Sequence, residues 1–546
     1  MKKTLVIPLV LILITLPTLL PFFNTKFFYT QDYIFIARLQ QMSTALSSGQ
    51  FPVRWAPDLR YGEPLFNYYA PLPYYAGAVI HLLGFNFIWV AKILFMLSAF
   101  LSAAAMYLLA NYLFGKRAGL LAATLYVYAP YRAVDMYVRG ALSETWAFIF
   151  LPLIFYSSAM IAKKASFKKV GLLSLSLAGL FLTHNVTTLM FLPFLFFWWI
   201  YLIIREKSRT VLLYFFLASL LGFGLAAFFL LPAFFEDSFI QTKYLTVGYF
   251  NFRAHFVAVR QLFSLFWGYG SSVWGFEDGL SFQVGLVNFA VLATAAVLAV
   301  FRRRDKKFLI LISLLGISFL FSIFLQHNKS AFIWEVIPLM AFIQFPWRFL
   351  GISIFIVSLA GGVIAPYLKN KLLPVYFILI ISAVISTTGY FKPKEYKNDS
   401  FFDKFLQTET MHKGYDLTKD YLPIWVQDTD GERFNIPRAE TGEIKVSNLK
   451  QKSTKLDFSV VVATNSSIEV PVTYFPGWEV KAGDRVIPQT PSSNTGLIMF
   501  DLPKGDYRVK VELKDTPVRS IGNVISIISW LIILVLFSFR KRYLNA

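Results

Sequence analysis

Long apolar runs separated by short basic loops constrain this chain more than any other feature, because a chain carrying so many of them folds as a bundle of membrane-crossing helices. Runs near 4–23, 76–110 (partly interfacial), 118–132, 144–162, 170–187, 189–204, 211–231, 284–301, 308–325, 349–367, 372–390 and 520–538 read as about twelve spanning segments. Only 15% of the 546 residues are charged, against roughly a quarter in soluble domains. The net charge of +21 does not imply a nucleic-acid partner, since the bases lie in short loops such as 163–169, 205–209, 302–307 and 540–542 rather than on one soluble face. That is the positive-inside pattern. It predicts a multi-pass protein of the plasma membrane with both termini cytoplasmic, and it reads Lys2 and Lys3 as the cytoplasmic flank of a retained first anchor. The sequence has no cysteine, which excludes disulfides, thiolate metal sites and cysteine nucleophiles.

The loops that this topology sends to the outer side are the longer ones, at 24–75, 133–143, 233–283, 326–348 and 391–517. The last changes character. From about Lys455 apolar and polar residues alternate, Tyr507, Val509, Val511 and Leu513 against Arg508, Lys510 and Glu512, with turn signals at Ala482-Gly483-Asp484 and Lys504-Gly505-Asp506. The expected organisation is an α-helical membrane domain over 1–390, a polar linker or lid over 391–450, a small extracytoplasmic antiparallel β domain over 451–517 that rests on the membrane domain, and a last span with a basic tail over 518–546.

Ionisable residues beside apolar helices are costly unless paired or hydrated, and so mark function by default. Asp32 lies just outside the first span, at the head of a segment in which Phe35, Leu39, Met42 and Leu46 recur at helical spacing, as in an amphipathic helix lying along the interface. Two readings compete for it. It is a helix N-cap, or a carboxylate serving a lipid substrate with a charged head group. The second outer loop adds Asp135, Arg139 and Glu144, for which a structural Asp135–Arg139 pair at i, i+4 is the alternative. The first loop is also rich in aromatics, among them Trp55, Tyr61, Tyr68 and Tyr69, which suit either stacking on sugar faces or an interfacial aromatic belt.

This layout resembles the GT-C glycosyltransferases, integral membrane enzymes that move a sugar from a polyprenyl-phosphate donor. They carry a catalytic Asp in the first external loop beside an interfacial helix and further acids in the second, positions matched here by Asp32 and by Asp135 and Glu144. More specifically, the chain resembles a bacterial and archaeal membrane family labelled 6-pyruvoyl-tetrahydropterin synthase-related, through GQFPVRWAPDLRYGEPLFNYYAPLPYY, RGALSETWAFIFLPL, LTHNVTT, FPWRFL and TYFPGWEV. It departs from the expected pattern in having Thr30-Gln31-Asp32 before the loop helix, where a His or a Gly-Asp pair is expected.

The resemblance implies transfer of a sugar from a lipid-linked donor to an extracytoplasmic glycan, lipid or protein acceptor. In such a reaction an acceptor hydroxyl loses a proton while the departing lipid phosphate gains charge. Asp32 is then the base, or shares Mg²⁺ or Mn²⁺ with Glu144 or Asp135. Arg139 clamps the phosphate. His184 and Arg348 lie at the outer interface, each with a bland alternative: a capped helix end for His184 and snorkelling toward head groups for Arg348. A transporter or flippase, or a scaffold for envelope polysaccharide, remains the rival class. No P-loop or dinucleotide fingerprint is present, which favours a lipid-linked over a nucleotide donor.

Overall fold

A computed structural model describes residues 6–275, 277–407, 411, 421–427, 434–493 and 495–538. Among the described residues nine helices are long and apolar enough to cross a membrane: Val6–Phe23, Phe87–Phe114, Leu142–Lys163, Asn185–Glu206, Thr210–Phe235, Lys306–Gln326, Pro346–Tyr367, Asn370–Thr388 and Pro517–Ser538. The helix at Leu350–Ile364 is buried along its whole length and forms the centre of the bundle. Pro517–Ser538 is mostly exposed along its Ile, Leu and Val residues, as suits a face turned to lipid tails.

Three of the expected spans are shorter than the sequence implies. Lys116–Val127 has 12 residues, Phe167–Phe181 has 15 and Leu286–Phe301 has 16, or about 18–24 Å at 1.5 Å per residue. Local chemistry ends each of them. Pro130 opens a new turn after the first, His184 caps the following helix after the second, and Gly285, at φ 101°, sits before the third.

The β domain is an antiparallel sandwich, and it begins at Arg438 rather than at 451. One sheet orders strands 438–441, 466–473, 497–502 and 489–491, the other 444–452, 455–462, 505–513, 478–482 and 485–487. Phe458, Val460, Ile468, Val470, Val480, Phe500, Val509 and Val511 fill the space between them, the period-2 alternation of the sequence turned inward. The sandwich rests on the bundle through Trp55, Tyr68 and Ile240, which join its core.

The segment between the bundle and the sandwich also packs down. Tyr396–Lys397 pairs with Phe27–Phe28, and the helix Asp399–Phe405 sets Phe402 edge-on to Phe27, with ring centroids 5.6 Å apart.

Candidate active-site cavity

The first two loops of the helical domain meet along the backbone. Gln31 donates its N–H to the Val138 carbonyl at 3.0 Å, and Asp32 donates to the Arg139 carbonyl at 2.7 Å. Gly140 makes this approach feasible: its φ is 70°, and a Cβ there would collide with the Thr30 side chain. Beside this junction opens a cavity of about 1210 Å³. Asp32, Arg38, Tyr68, Tyr69, Arg139 and His184 all line it.

Asp32 is not the cap of the loop helix. That helix runs Phe35–Ser47 with Ile34 at its N-cap and no side-chain cap bond. The Asp32 carboxylate is 41% exposed and lies 3.8 Å from the Arg38 guanidinium, which is itself stacked over the Tyr69 ring at 4.1 Å. Arg38 drew no attention in the sequence because an arginine on an amphipathic helix normally belongs to its solvated face.

Behind this surface lies a buried charge network. Arg139 Nη1 contacts Asp135 Oδ1, Glu144 Oε2 at 2.7 Å and the Tyr131 hydroxyl at 3.2 Å, while Tyr131 donates to Glu144 Oε1 at 2.7 Å. The Arg348 guanidinium turns inward to within 4.0 Å of Glu144 and donates to the Ile343 carbonyl, so it does not snorkel outward. Burial first, and the Glu144 charge second, push the Asp135 carboxyl well above the ordinary carboxylate range. Its Oδ2 has no hydrogen-bond partner. The hydrogen bonds of Arg139 to Asp135, Glu144 and Tyr131 all leave from Nη1, so the rest of the fork, stacked 4.7 Å from the Trp347 ring, is available to the cavity that the residue lines.

The pairing expected between Asp32 and Glu144 through a divalent ion does not fit these residues. Both Glu144 oxygens are taken by Arg139 and Tyr131, and Glu144 sits behind the wall rather than on it. Among the described residues no group of three or more His, Asp or Glu gathers that could hold a metal. The arginine occupies the place between the acids that a cation would otherwise take.

His184 caps the helix Asn185–Glu206, accepting the Thr187 N–H on Nδ1. An Nδ1 that accepts leaves the hydrogen on Nε2, so the cap holds the ring in a donor tautomer at the cavity wall. Two further donors there were not legible in sequence: the Ser143 hydroxyl and Trp347 Nε1 both line the cavity, are buried and have no partner. A serine and a tryptophan carry no pattern that separates an orphaned donor from a satisfied one.

The aromatics divide. Tyr68 and Tyr69 line the cavity, with Tyr68 donating to the Glu236 carbonyl at 2.6 Å. Trp55 and Tyr61 do not. Trp55 is 2% exposed and packs edge-on against Trp478 of the sandwich. Tyr61 accepts the Phe434 N–H at 3.0 Å, and its carbonyl accepts from Thr473. Both fasten the β domain, which offers apolar rings as good as any sugar face.

Over residues 66–393 the chain matches the family described as 6-pyruvoyl-tetrahydropterin synthase related domain, membrane protein. It belongs to that family. The matched stretch contains every second-loop residue of the site, together with His184 and Arg348, and leaves Asp32 upstream. A relative from Lactococcus lactis subsp. cremoris (strain MG1363), itself an uncharacterized protein, is 28% identical over 237 residues, which make up 41% of this chain and 38% of that protein. The pterin enzyme in the family's label finds no echo in the histidines of this member. His184 and His327 accept from backbone N–H groups, His81 meets the Phe85 carbonyl and His255 pairs with Ser272; His412 lies outside the described residues.

Proposed function

We propose that the protein is a membrane glycosyltransferase of the GT-C kind that moves a sugar from a polyprenyl-phosphate-linked donor to an extracytoplasmic acceptor. The observation that carries this reading is the mixed lining of the cavity. Asp32, Arg139, His184 and Ser143 share its wall with Phe223, Leu230, Phe234 and Phe235 of one helix and with Leu339 and Phe342. Several of these apolar side chains are strongly exposed, Phe234 at 70% among them. A molecule with an anionic head and a long hydrocarbon tail suits such a mixed lining.

In this reading the donor phosphate lies against the free edge of Arg139, the His184 Nε2–H and the Ser143 hydroxyl, which stabilise the charge that grows on the leaving oxygen. The Asp32 carboxylate, held near Arg38, accepts the proton of the acceptor hydroxyl as that oxygen attacks the anomeric carbon. The acids behind the wall keep Arg139 in place. The cavity and the β domain lie on the outer side of the plasma membrane, with both termini inside. Because the chain has no cysteine, single cysteines placed at Asp484 and at Arg304 test that topology directly: the first is expected to react with a membrane-impermeant maleimide on intact cells and the second only after lysis.

Asp32→Asn tests the chemistry. Purified variant is expected to bind a polyprenyl-phosphate sugar, to keep its melting temperature and to lose transfer. Undiminished transfer would remove Asp32 from the reaction. Binding and translocation of the lipid by the unaltered protein, without transfer, would favour a flippase.

A further inference from the structure

His255 is 2% exposed and is held by both ring nitrogens. Nε2 lies 2.5 Å from the Tyr249 carbonyl, and Nδ1 lies 2.7 Å from Ser272 Oγ. A carbonyl can only accept, so Nε2 carries a hydrogen. Burial, aided by the Arg348 charge, pushes the ring's pKa down against the opposing pull of the Tyr249 carbonyl and Asp278. The ring is therefore neutral near pH 7, and Nδ1 has a lone pair and no hydrogen. It follows that Ser272 donates its only hydroxyl hydrogen to His255.

Ser272 lines the same cavity as Asp32 and Arg139. With its hydrogen committed, its Oγ can only accept a hydrogen bond from a ligand. The segment that carries it is tied to the Asp32 loop, since Gln31 Nε2 donates to the Gly270 carbonyl at 2.7 Å. Two acceptors, the Asp32 carboxylate and Ser272 Oγ, thus share one cavity with the donors of Arg139 and His184 and with Ser143 and Trp347.

We propose that Ser272, fixed as an acceptor by His255, is a specificity-determining residue that reads hydroxyl groups on the head of the lipid ligand, while the donors of the cavity take its phosphate, whose oxygens an acceptor cannot bind. This rests on the lipid-linked sugar reading above and narrows it: the head must present hydroxyls beyond its phosphate. A bare polyprenyl phosphate has no hydroxyl to offer Ser272, whereas one carrying a hexose has several.

The test measures affinities of the purified full-length protein for undecaprenyl phosphate and for undecaprenyl phosphate bearing one hexose, with melting temperature followed on the same samples. The unaltered protein is expected to prefer the hexose-bearing lipid. Ser272→Ala is expected to weaken that lipid roughly five- to ten-fold, the worth of one hydrogen bond in a confined site, and to leave the bare lipid unchanged. His255→Gln, which removes the ring acceptor that fixes the Ser272 hydrogen, is expected to give the same selective loss. Equal weakening of both lipids, or of neither, by Ser272→Ala would overturn the assignment and leave the lipid reading standing. Failure of the unaltered protein to bind either lipid would overturn both.

Discussion

Two buried arginine–carboxylate networks sit at the same end of this protein, and they are built to opposite standards. Around Glu236 every acceptor is used. Arg519 donates to Oε2 through Nε and Nη2 at 3.0 and 2.9 Å, Thr516 donates to Oε1 at 2.5 Å, and Asn67 donates to Oε2 at 3.2 Å. Arg54 closes the group, reaching Asn67, Asn523 and the Phe228 carbonyl, with its Nε 3.4 Å from Asp515 but without a hydrogen bond. Around Arg139 the carboxylate is not filled: Asp135 Oδ2 and the neighbouring Ser143 Oγ have no hydrogen-bond partner. A carboxylate with both oxygens filled holds elements together, whereas spare donors and acceptors beside a cavity are arranged to receive something.

The largest effect is expected at the saturated network. Glu236→Gln leaves Arg519, whose side chain is 1% exposed, buried without its counter-charge, which costs about 3–5 kcal/mol; a thermal-shift assay in detergent should show a large fall in melting temperature, and a near-normal value would dissolve the contrast between the two networks. At the open network the larger change should appear in binding. Arg139→Lys keeps the charge and loses the planar fork, so affinity for a polyprenyl-phosphate ligand should fall about ten-fold, or about 1.4 kcal/mol, with little change in melting temperature.

Asp135→Asn sharpens the comparison further. One oxygen of Asp135 has no partner and burial already disfavours its charge, so the variant is expected to melt within the range of about 1 kcal/mol of the parent, quite unlike Glu236→Gln. An exposed pair supplies the baseline. On the sandwich, Glu512 is held down to about 2, chiefly by its hydrogen bond to Lys510 and then by Lys514. A carboxyl lowered in this way adds stability above its ordinary pKa of 4.5 and loses it as pH falls toward 2. Solvent screening keeps that contribution below about 1 kcal/mol, so acid titration of Glu512→Gln against the parent should reveal only a small difference.

Much of the site was legible because charges next to apolar helices are rare enough to stand out. Asp32, Arg139 and His184 were named from the chain alone, and all three line the cavity. The sandwich was legible from alternation, though its first strands were not: in 444–452 the residues are Ile-Lys-Val-Ser-Asn-Leu-Lys-Gln-Lys, with a register shift between Ser447 and Lys450 that breaks the period of two. Trp55 and Tyr61 were misplaced because composition says that a ring will be buried without saying against what. The Glu236 network was invisible for a different reason, since Arg54, Glu236 and Arg519 look like three unrelated loop residues until the fold brings them together.

That separation along the chain has a consequence for biogenesis. Glu236 and Arg519 are 283 residues apart, so a ribosome adding about 5–20 residues per second leaves Glu236 without its arginine for some tens of seconds. The helix that follows it into the membrane, the sandwich and the cavity wall all precede the residue that locks them. The contact therefore acts as a late latch: only a chain translated past Arg519 has the means to close it, and until then the Glu236 carboxylate lacks that arginine.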